Sequence, residues 1–294
     1  MKKSVLLSIF ILFWLLTSCE KSRDIDVEEP KEEIDISACI TAVSSDAFEI
    51  MTWNVKQFPI NDDRTIKVIA QIIEEQSPDM IALQEISTLE SFNELTASLG
   101  AYDGQMYFTG DINLGYIYKN SEVTPDSNLK VILEDDFFAF PRAPVLLSVT
   151  HINGINVHLI NIHLKCCDGV DNFNRRKEAS NQLKEYVDNN LADEKVIILG
   201  DYNDEIYGIP DDENPFNNFI NDQANYLFAD MLLAESDRND WSYPSWPSHI
   251  DHILITNELF DLVDETLTLA FDDCFADYFA IISDHRPVMV KLSN

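Results

Sequence analysis

The sequence predicts an α/β domain of mixed β-sheets with helices packed outside them. Three observations lead there: strand-like and helix-like segments alternate early, an Asn-Gly turn joins two apolar runs, and several later strands are apolar throughout. In order, "FEIMTWNV" (48–55) has strand composition. "RTIKVIAQIIEEQSPD" (64–79) carries Ile66, Ile69, Ile72 and Ile73 at helical spacing until Pro78 ends it. "MIALQEI" (80–86) is then a buried strand with an acid near its end, which completes a strand-helix-strand unit. "LGYIYKN" and "APVLLSVTHING" follow as strands, and the second meets "INVHLINIHL" across Asn153-Gly154, a strong hairpin signal. "NRRKEASNQLKEYVDNNL" (174–191) reads as a largely polar helix. "KVIILGDYND" (195–204) is an apolar strand running into Gly200 and Asp201, "DHILIT" (251–256) is another strand, and "RPVMVKL" closes the chain. Crossovers make parallel pairs and hairpins antiparallel ones, so the sheets are mixed. Periodicity is compatible with one large sheet or two stacked ones.

The N-terminus addresses location. Lys2 and Lys3 precede the apolar run Val5 to Leu16, which has the length of a signal-peptide core and is short for a bilayer span. It ends in "LTSC", whose small residues before Cys19 resemble the lipobox of bacterial lipoproteins. Residues 1–18 are therefore expected to be a signal peptide and Cys19 the lipidated new N-terminus, with the protein held at the bacterial cell envelope facing periplasm or exterior. The following "EKSRDIDVEEPKEEIDIS" is dense in charge and poor in apolar residues, so 19–46 reads as a flexible acidic tether. Residues 47–294, without internal repeat or second linker, suit one large domain, and a monomer is expected.

The formal net charge is −32, and loss of Lys2 and Lys3 with the signal takes it to −34. Such a field repels polyanions and argues against tight nucleic-acid binding, although bound divalent cations reverse the sign locally. Besides Cys19 there are Cys39, Cys166, Cys167 and Cys274. Four cysteines in an exported chain permit disulfides in three possible pairings, and no spacing suggests zinc.

Polar residues recur at strand ends: Asn54, Glu85, His163, Asp201 with Asn203, Asp251, and Asp284 with His285. One such residue is ordinary turn chemistry. The whole set is carboxylates, amides and imidazoles of the kind mounted where a rigid sheet meets its loops. In order and spacing, "TWNV", "LQEI", "NIHLK", "LGDYND", "SHIDHILIT" and "SDHRPV" resemble the endonuclease/exonuclease/phosphatase superfamily of deoxyribonuclease I-like phosphoesterases. The resemblance spans Phe48 to Leu292 and identifies 47–294 as one such domain. It implies a four-layer α/β sandwich, two stacked mixed sheets with helices outside.

The resemblance also implies roles. Glu85 corresponds to the principal metal carboxylate, with Asn54 beside it and Asp284 facing the metal. Hard oxygen donors of this kind suit Mg²⁺ or Mn²⁺. Asp201 and Asn203 would activate water and bind phosphoryl oxygens, Tyr202 standing where the family commonly has Phe. His163 would stabilise the phosphate or assist the leaving group. His285, oriented by Asp251, would sit at the scissile phosphate, either as base or as a held charge. Ser283 and Arg286 are given structural roles, and Arg142 matches an arginine on substrate phosphate. No tyrosine fits the position used by nuclease members; Tyr107 and Tyr116 are at the wrong spacing. The loop "WSYPSWPS" (241–248) is expected to be a packed aromatic rim. If Cys274 is bridged, Cys166 or Cys167 is the expected partner, because the loops after "NIHL" and before "SDHR" both carry site residues.

The expected function is a metal-dependent phosphoesterase acting on a phosphate-ester substrate. Acidic charge and the missing tyrosine favour a phosphorylated small molecule, inositol phosphate or lipid headgroup; the nuclease-rich superfamily favours DNA or RNA. A non-catalytic surface module is the competing class, and it has no need of six site residues together.

Overall fold

The structure, a computed structural model, describes residues 34–41, 46–110 and 112–294. The expected signal peptide, Cys19 and most of the tether lie outside the described residues. In chain order the strands are β1 (Phe48–Phe58), β2 (Met80–Ile86), β3 (Tyr102–Tyr107), β4 (Asn113–Lys119), β5 (Val123–Pro125), β6 (Lys130–Val131), β7 (Val145–His151), β8 (Asn156–His163), β9 (Val196–Asp201), β10 (Tyr226–Phe228), β11 (Asp251–Thr256), β12 (Val263–Thr268) and β13 (Val288–Leu292). The helices are α1 (Asp62–Gln76), α2 (Leu89–Ser98), α3 (Val170–Asn190), α4 (Asn217–Ile220), α5 (Met231–Glu235) and α6 (Tyr278–Ile281). None of the described helices is long and apolar enough to cross a membrane.

Two sheets form, ordered β12-β13-β1-β2-β4-β3 and β10-β11-β9-β8-β7-β5, with β6 paired to β7. The pairs β1·β2 and β8·β9 are parallel and the remaining pairs antiparallel. Alternation assigns the faces. On β1, Phe48 and Ile50 face the other sheet, whereas Met51, Trp53 and Val55 pack on Ile69 and Ile73 of α1 and Phe92 of α2. On β9, Ile197 and Leu199 meet β1, β2 and β13 in the central layer, and Ile198 faces Ala179, Leu183 and Val187 of α3. Each inner strand is thus covered on both faces, which is why it reads as an unbroken apolar run, and each fully buried apolar side chain contributes about 1.5–3 kcal/mol. The four-layer sandwich is the observed fold.

The sheets are also joined by a polar clamp. Gln84 of β2 donates to the Asn161 side-chain oxygen of β8 at 2.8 Å, and Asn161 Nδ2 donates to the carbonyls of Leu83 and Gly115 at 3.0 Å each. Gln84 and Asn161 are both buried, and the Gln84 amide nitrogen and both polar ends of Asn161 are paired, so the clamp sets how the sheet ends face each other, although Gln84 Oε1 itself has no partner among the described residues. Gly200 fits the same demand for closeness: its φ of +142° and the Ile162 carbonyl against the position of a Cβ admit no side chain.

Two expectations are corrected. The tether does not extend to residue 46: Ile34 and Ile36 are buried in the core outside the first sheet, and Gln71 and Gln76 of α1 hydrogen-bond the backbones of Ile34 and Thr41. Isolated apolar residues in a charged stretch carry no periodicity to announce this. Cys274 is bridged, but to Cys39, with Cα atoms 6.2 Å apart, while Cys166 and Cys167 are free. Cys274 packs with the layer outside the first sheet, whereas the loop after β8 belongs to the second.

Candidate active site

Strand direction brings the polar strand ends together. β1, β2, β8 and β9 all end at one edge of the sandwich, and β11 and β13, antiparallel to β9 and β1, begin there. Register does the rest: His163 pairs with Asp201 across β8·β9, and Asp201 with Asp251 across β9·β11. These three side chains therefore stand in a row on the face that meets the first sheet. Glu85 needs a different device, because alternation points Gln84 inward and Glu85 outward. Its φ of 63° breaks the extended backbone and lets its carboxylate reach Asn54. Lys56, Gln57 and Asn203 also have positive φ, and such strained residues gather where a site is built.

Asn54 Nδ2 bridges the Glu85 and Asp201 carboxylates at 3.1 and 2.9 Å, and its side-chain oxygen accepts the Lys56 N–H at 2.9 Å. Asn54 thus sits beside Glu85 as the sequence implied, and its hydrogen bonds hold the two carboxylates. His163 Nε2 lies 3.4 Å from Asp201 and 3.8 Å from Glu85, and ligand atoms of the three fall within 4.8 Å of one another. Burial, reinforced by the Arg142 and His285 charges, pushes the His163 imidazole well below its usual 6.5, so it is neutral. Burial likewise raises the Asp201 carboxyl to about 7, with Asp251 and Glu85 adding to the rise and His285 opposing it.

His285 is the counterpart. Its Nδ1 is 2.8 Å from Asp251 Oδ2, and its Nε2 points toward Asp201 at 3.9 Å and Asp284 at 4.0 Å. Burial alone would lower this imidazole; the Asp251 charge and hydrogen bond, then Asp201 and Asp284, override it and raise it to about 10. One histidine is neutral and the other cationic within a single cleft. Ser283 donates to the Asn54 carbonyl at 2.6 Å and accepts the His285 N–H at 3.0 Å, while Arg286 forks onto Asp272 at 2.7 and 2.6 Å, so both residues hold the loop. Asp284 is on the His285 side, ion-paired to Lys56 at 2.8 Å.

The cleft between these groups measures about 640 Å³. Arg142 reaches its wall, donating to the Leu164 carbonyl at 2.6 Å, and Asn203 Nδ2 donates to the same carbonyl at 3.2 Å. Lys56, Tyr243, Trp246 and the two free cysteines also line it, none of them assigned from the sequence. Lys56 adjoins "TWNV", but nothing in its type distinguishes it from a solvated lysine. The aromatic loop departs from a packed rim: the Tyr243 ring lies 4.7 Å from His285, yet Trp246 is 78% exposed. Tyr116 is buried, its hydroxyl against the Val145 and Leu159 carbonyls.

A second cluster lies beneath the cleft. Asp230 accepts from His252 at 2.6 Å and His249 at 3.0 Å, and His252 Nε2 is 3.0 Å from the Asp204 carbonyl. Its ligand atoms are near enough for an ion. Each nitrogen already has a protein partner, since His249 Nδ1 accepts the Ser242 N–H. The cluster braces the start of β11, where Asp251 stands.

The model of the endonuclease/exonuclease/phosphatase family matches residues 51–285. The chain belongs to that family. Endonuclease/exonuclease/phosphatase proteins hydrolyse phosphoester bonds, usually with a divalent metal ion. No curated protein matches the chain. Among solved structures, D. rerio TDP2 complexed with single-strand DNA product superposes with TM-score 0.65 at 16% identity, covering 84% of this chain and 99% of that one. The human Nocturnin catalytic domain with bound sulfate gives 0.65 at 18% identity over 86% and 95%, and a Bacteroides vulgatus family member 0.63 at 15% over 84% and 98%. These likenesses show the shared fold.

Proposed function

We propose that the protein is a phosphoesterase that works with Mg²⁺ or Mn²⁺ and is carried on the cell envelope by a lipid at Cys19. The supporting observation is the divided cleft: Glu85, Asn54, Asp201 and His163 on one side, the Asp251–His285 pair on the other, and Arg142 on the wall. Carboxylate oxygens of Glu85 and Asp201 face one another around Asn54, a hard donor set that fits a divalent cation. Glu85 would hold the cation, with Asn54 orienting the carboxylate and Asp284 able to join from the other side once released from Lys56. When bound, the cation neutralises charge on the phosphoryl oxygens.

The chain's own groups supply the remaining steps. Asp201, a buried carboxylate that faces His285 across the cleft, would take a proton from the attacking water. The His285 imidazolium, held by Asp251, Arg142 and the Asn203 amide meet the phosphoryl oxygens as charge builds. Neutral His163 offers a hydrogen bond without adding charge. The acidic chain favours a small phosphate ester over a polyanion. A nuclease reading draws on exposed Trp246, since an aromatic face at a cleft rim stacks bases.

The test is hydrolysis of bis(4-nitrophenyl) phosphate by the mature chain, alongside single-stranded DNA, RNA, inositol polyphosphates and sphingomyelin. Activity should vanish with chelator, return with Mg²⁺ or Mn²⁺, and fall in Glu85→Ala without loss of fold. Full activity in excess chelator would rule the site out. For the anchor, Cys19→Ala should leave the protein uncleaved or soluble after export; detergent-dependent membrane association of a cleaved Cys19→Ala form would remove the lipid reading.

A further inference from the structure

Cys166 and Cys167 are adjacent in sequence, free, and part of the cleft wall. Their sulfurs lie 2.6 Å apart, and Cys167 has φ 78°, a left-handed backbone that a residue with a side chain adopts only under constraint. Lys165 Nζ is 3.4 Å from Cys166 Sγ, placing a cation on that sulfur. Burial works against ionisation of Cys166, yet the Cys167 and Lys165 hydrogen bonds and the Arg142 charge bring its thiol below its usual range, the setting of a reactive cysteine. Cys167 is exposed, so a small reagent has access. The chain already carries the Cys39–Cys274 disulfide, which belongs to an oxidising environment.

From this geometry we propose that Cys166 and Cys167 form a redox site that closes into a vicinal disulfide by exchange with a low-molecular-weight disulfide. The Cys166 thiolate attacks one sulfur of the reagent, forming a mixed disulfide and expelling a thiolate. Cys167 then loses its proton and attacks Cys166 Sγ, displacing the second thiolate. Two protein S–H bonds are replaced by one S–S bond, and the reagent leaves as two thiols, so protons and electrons balance. The consequence reaches the cleft through the backbone. The carbonyls of Lys165 and Cys167 accept from Arg176 at 2.8 and 3.1 Å, and Arg176 holds Asp204 at 2.9 Å, next to Asn203. Closing the ring across the 166–167 peptide therefore acts on the wall that carries Arg142 and Asn203. The proposal stands independently of the phosphoesterase reading.

The experiment treats the full mature chain, with its native Cys39–Cys274 bond, with glutathione disulfide, followed by peptide mapping without reductant. In the wild type, the peptide holding both cysteines should lose two hydrogens in mass, resist alkylation and carry no glutathione. Cys166→Ser and Cys167→Ser should each retain a stable glutathione adduct on the remaining cysteine, because no second thiol is there to release it. A wild-type peptide that accumulates glutathione adducts, or stays fully alkylatable at saturating glutathione disulfide, would overturn the proposal. Folding of each variant is checked by circular dichroism, and the Cys39–Cys274 peptide pair serves as the internal control.

Discussion

Replacing Asp251 with asparagine keeps the shape of the side chain and removes the charge that His285 depends on. His285 is raised from 6.5 to about 10, and at about 1.4 kcal/mol per unit the proton is held in the folded state by on the order of 5 kcal/mol. Asp251 and His285 side chains are 0% and 8% exposed, so solvent does little to screen the pair. Breaking a buried ion pair costs about 3–5 kcal/mol by direct comparison, in agreement. At about 2–4 °C of melting temperature per kcal/mol, Asp251→Asn should lower Tm by roughly 6–20 °C near pH 6. The sign with pH follows from the direction of the shift. A group whose folded value is raised contributes its full stability below the unfolded value of 6.5 and loses it as pH climbs through about 10. The gap between wild type and variant should therefore be wide at pH 6 and narrow at pH 10. Thermal unfolding followed by circular dichroism at both values is the assay, and an equal drop at the two would refute the charge-pair reasoning.

The same pair makes a kinetic prediction: His285→Ala and Asp251→Ala should each reduce kcat on a chromogenic diester by about 10²–10⁴-fold, and the double variant should lose little more than the worse single one. Losses that multiply would mean the residues act separately. Gly200→Ala should destabilise by about 3 kcal/mol or more, seen as a lower urea midpoint, because the new Cβ meets the Ile162 backbone and φ is unsuited to it. An unchanged midpoint would show that β8 and β9 yield freely. Cys274→Ser opens a bridge spanning 235 residues and should cost about 5 kcal/mol by loop-closure entropy, with an unaltered denaturation curve as the contrary result.

Long, doubly covered strands were legible from the sequence. The bounds of β2 and β11 coincide with the runs "MIALQEI" and "DHILIT", and the Asn153-Gly154 turn joins β7 and β8. What stayed illegible is short, exposed or tertiary in origin. β5, β6 and β10 have three residues or fewer, α4, α5 and α6 have four or five, and β3 is half-exposed with a glycine inside, so periodicity has nothing to act on. The strand-end polar residues stood out because each interrupts an apolar run. Lys56 lies in β1 with a left-handed backbone, φ 42°, and Tyr243 and Trp246 reach the cleft through loop conformation; neither device leaves a pattern in residue type. The pairing of Cys39 was hidden for a similar reason: it depends on where Ile34 and Ile36 dock. The opposite charge states of His163 and His285 belong to burial and neighbours, which sequence order does not encode.

The Cys39–Cys274 bond turns most of the domain into a covalent ring, with only the last twenty residues and the N-terminal side of Cys39 outside it. A protease that cuts one exposed loop of that ring produces a nicked molecule rather than two fragments. The two pieces stay paired across the first sheet, because β13, beyond Cys274, zips onto β1, and a cut between β9 and β11 leaves them paired across the second sheet as well. Their effective concentration for one another stays high, so the cut ends remain registered while the disulfide lasts. In an environment rich in proteases, a single cleavage would then become a silent event, and reduction of one bond would decide whether it turns into loss of the protein.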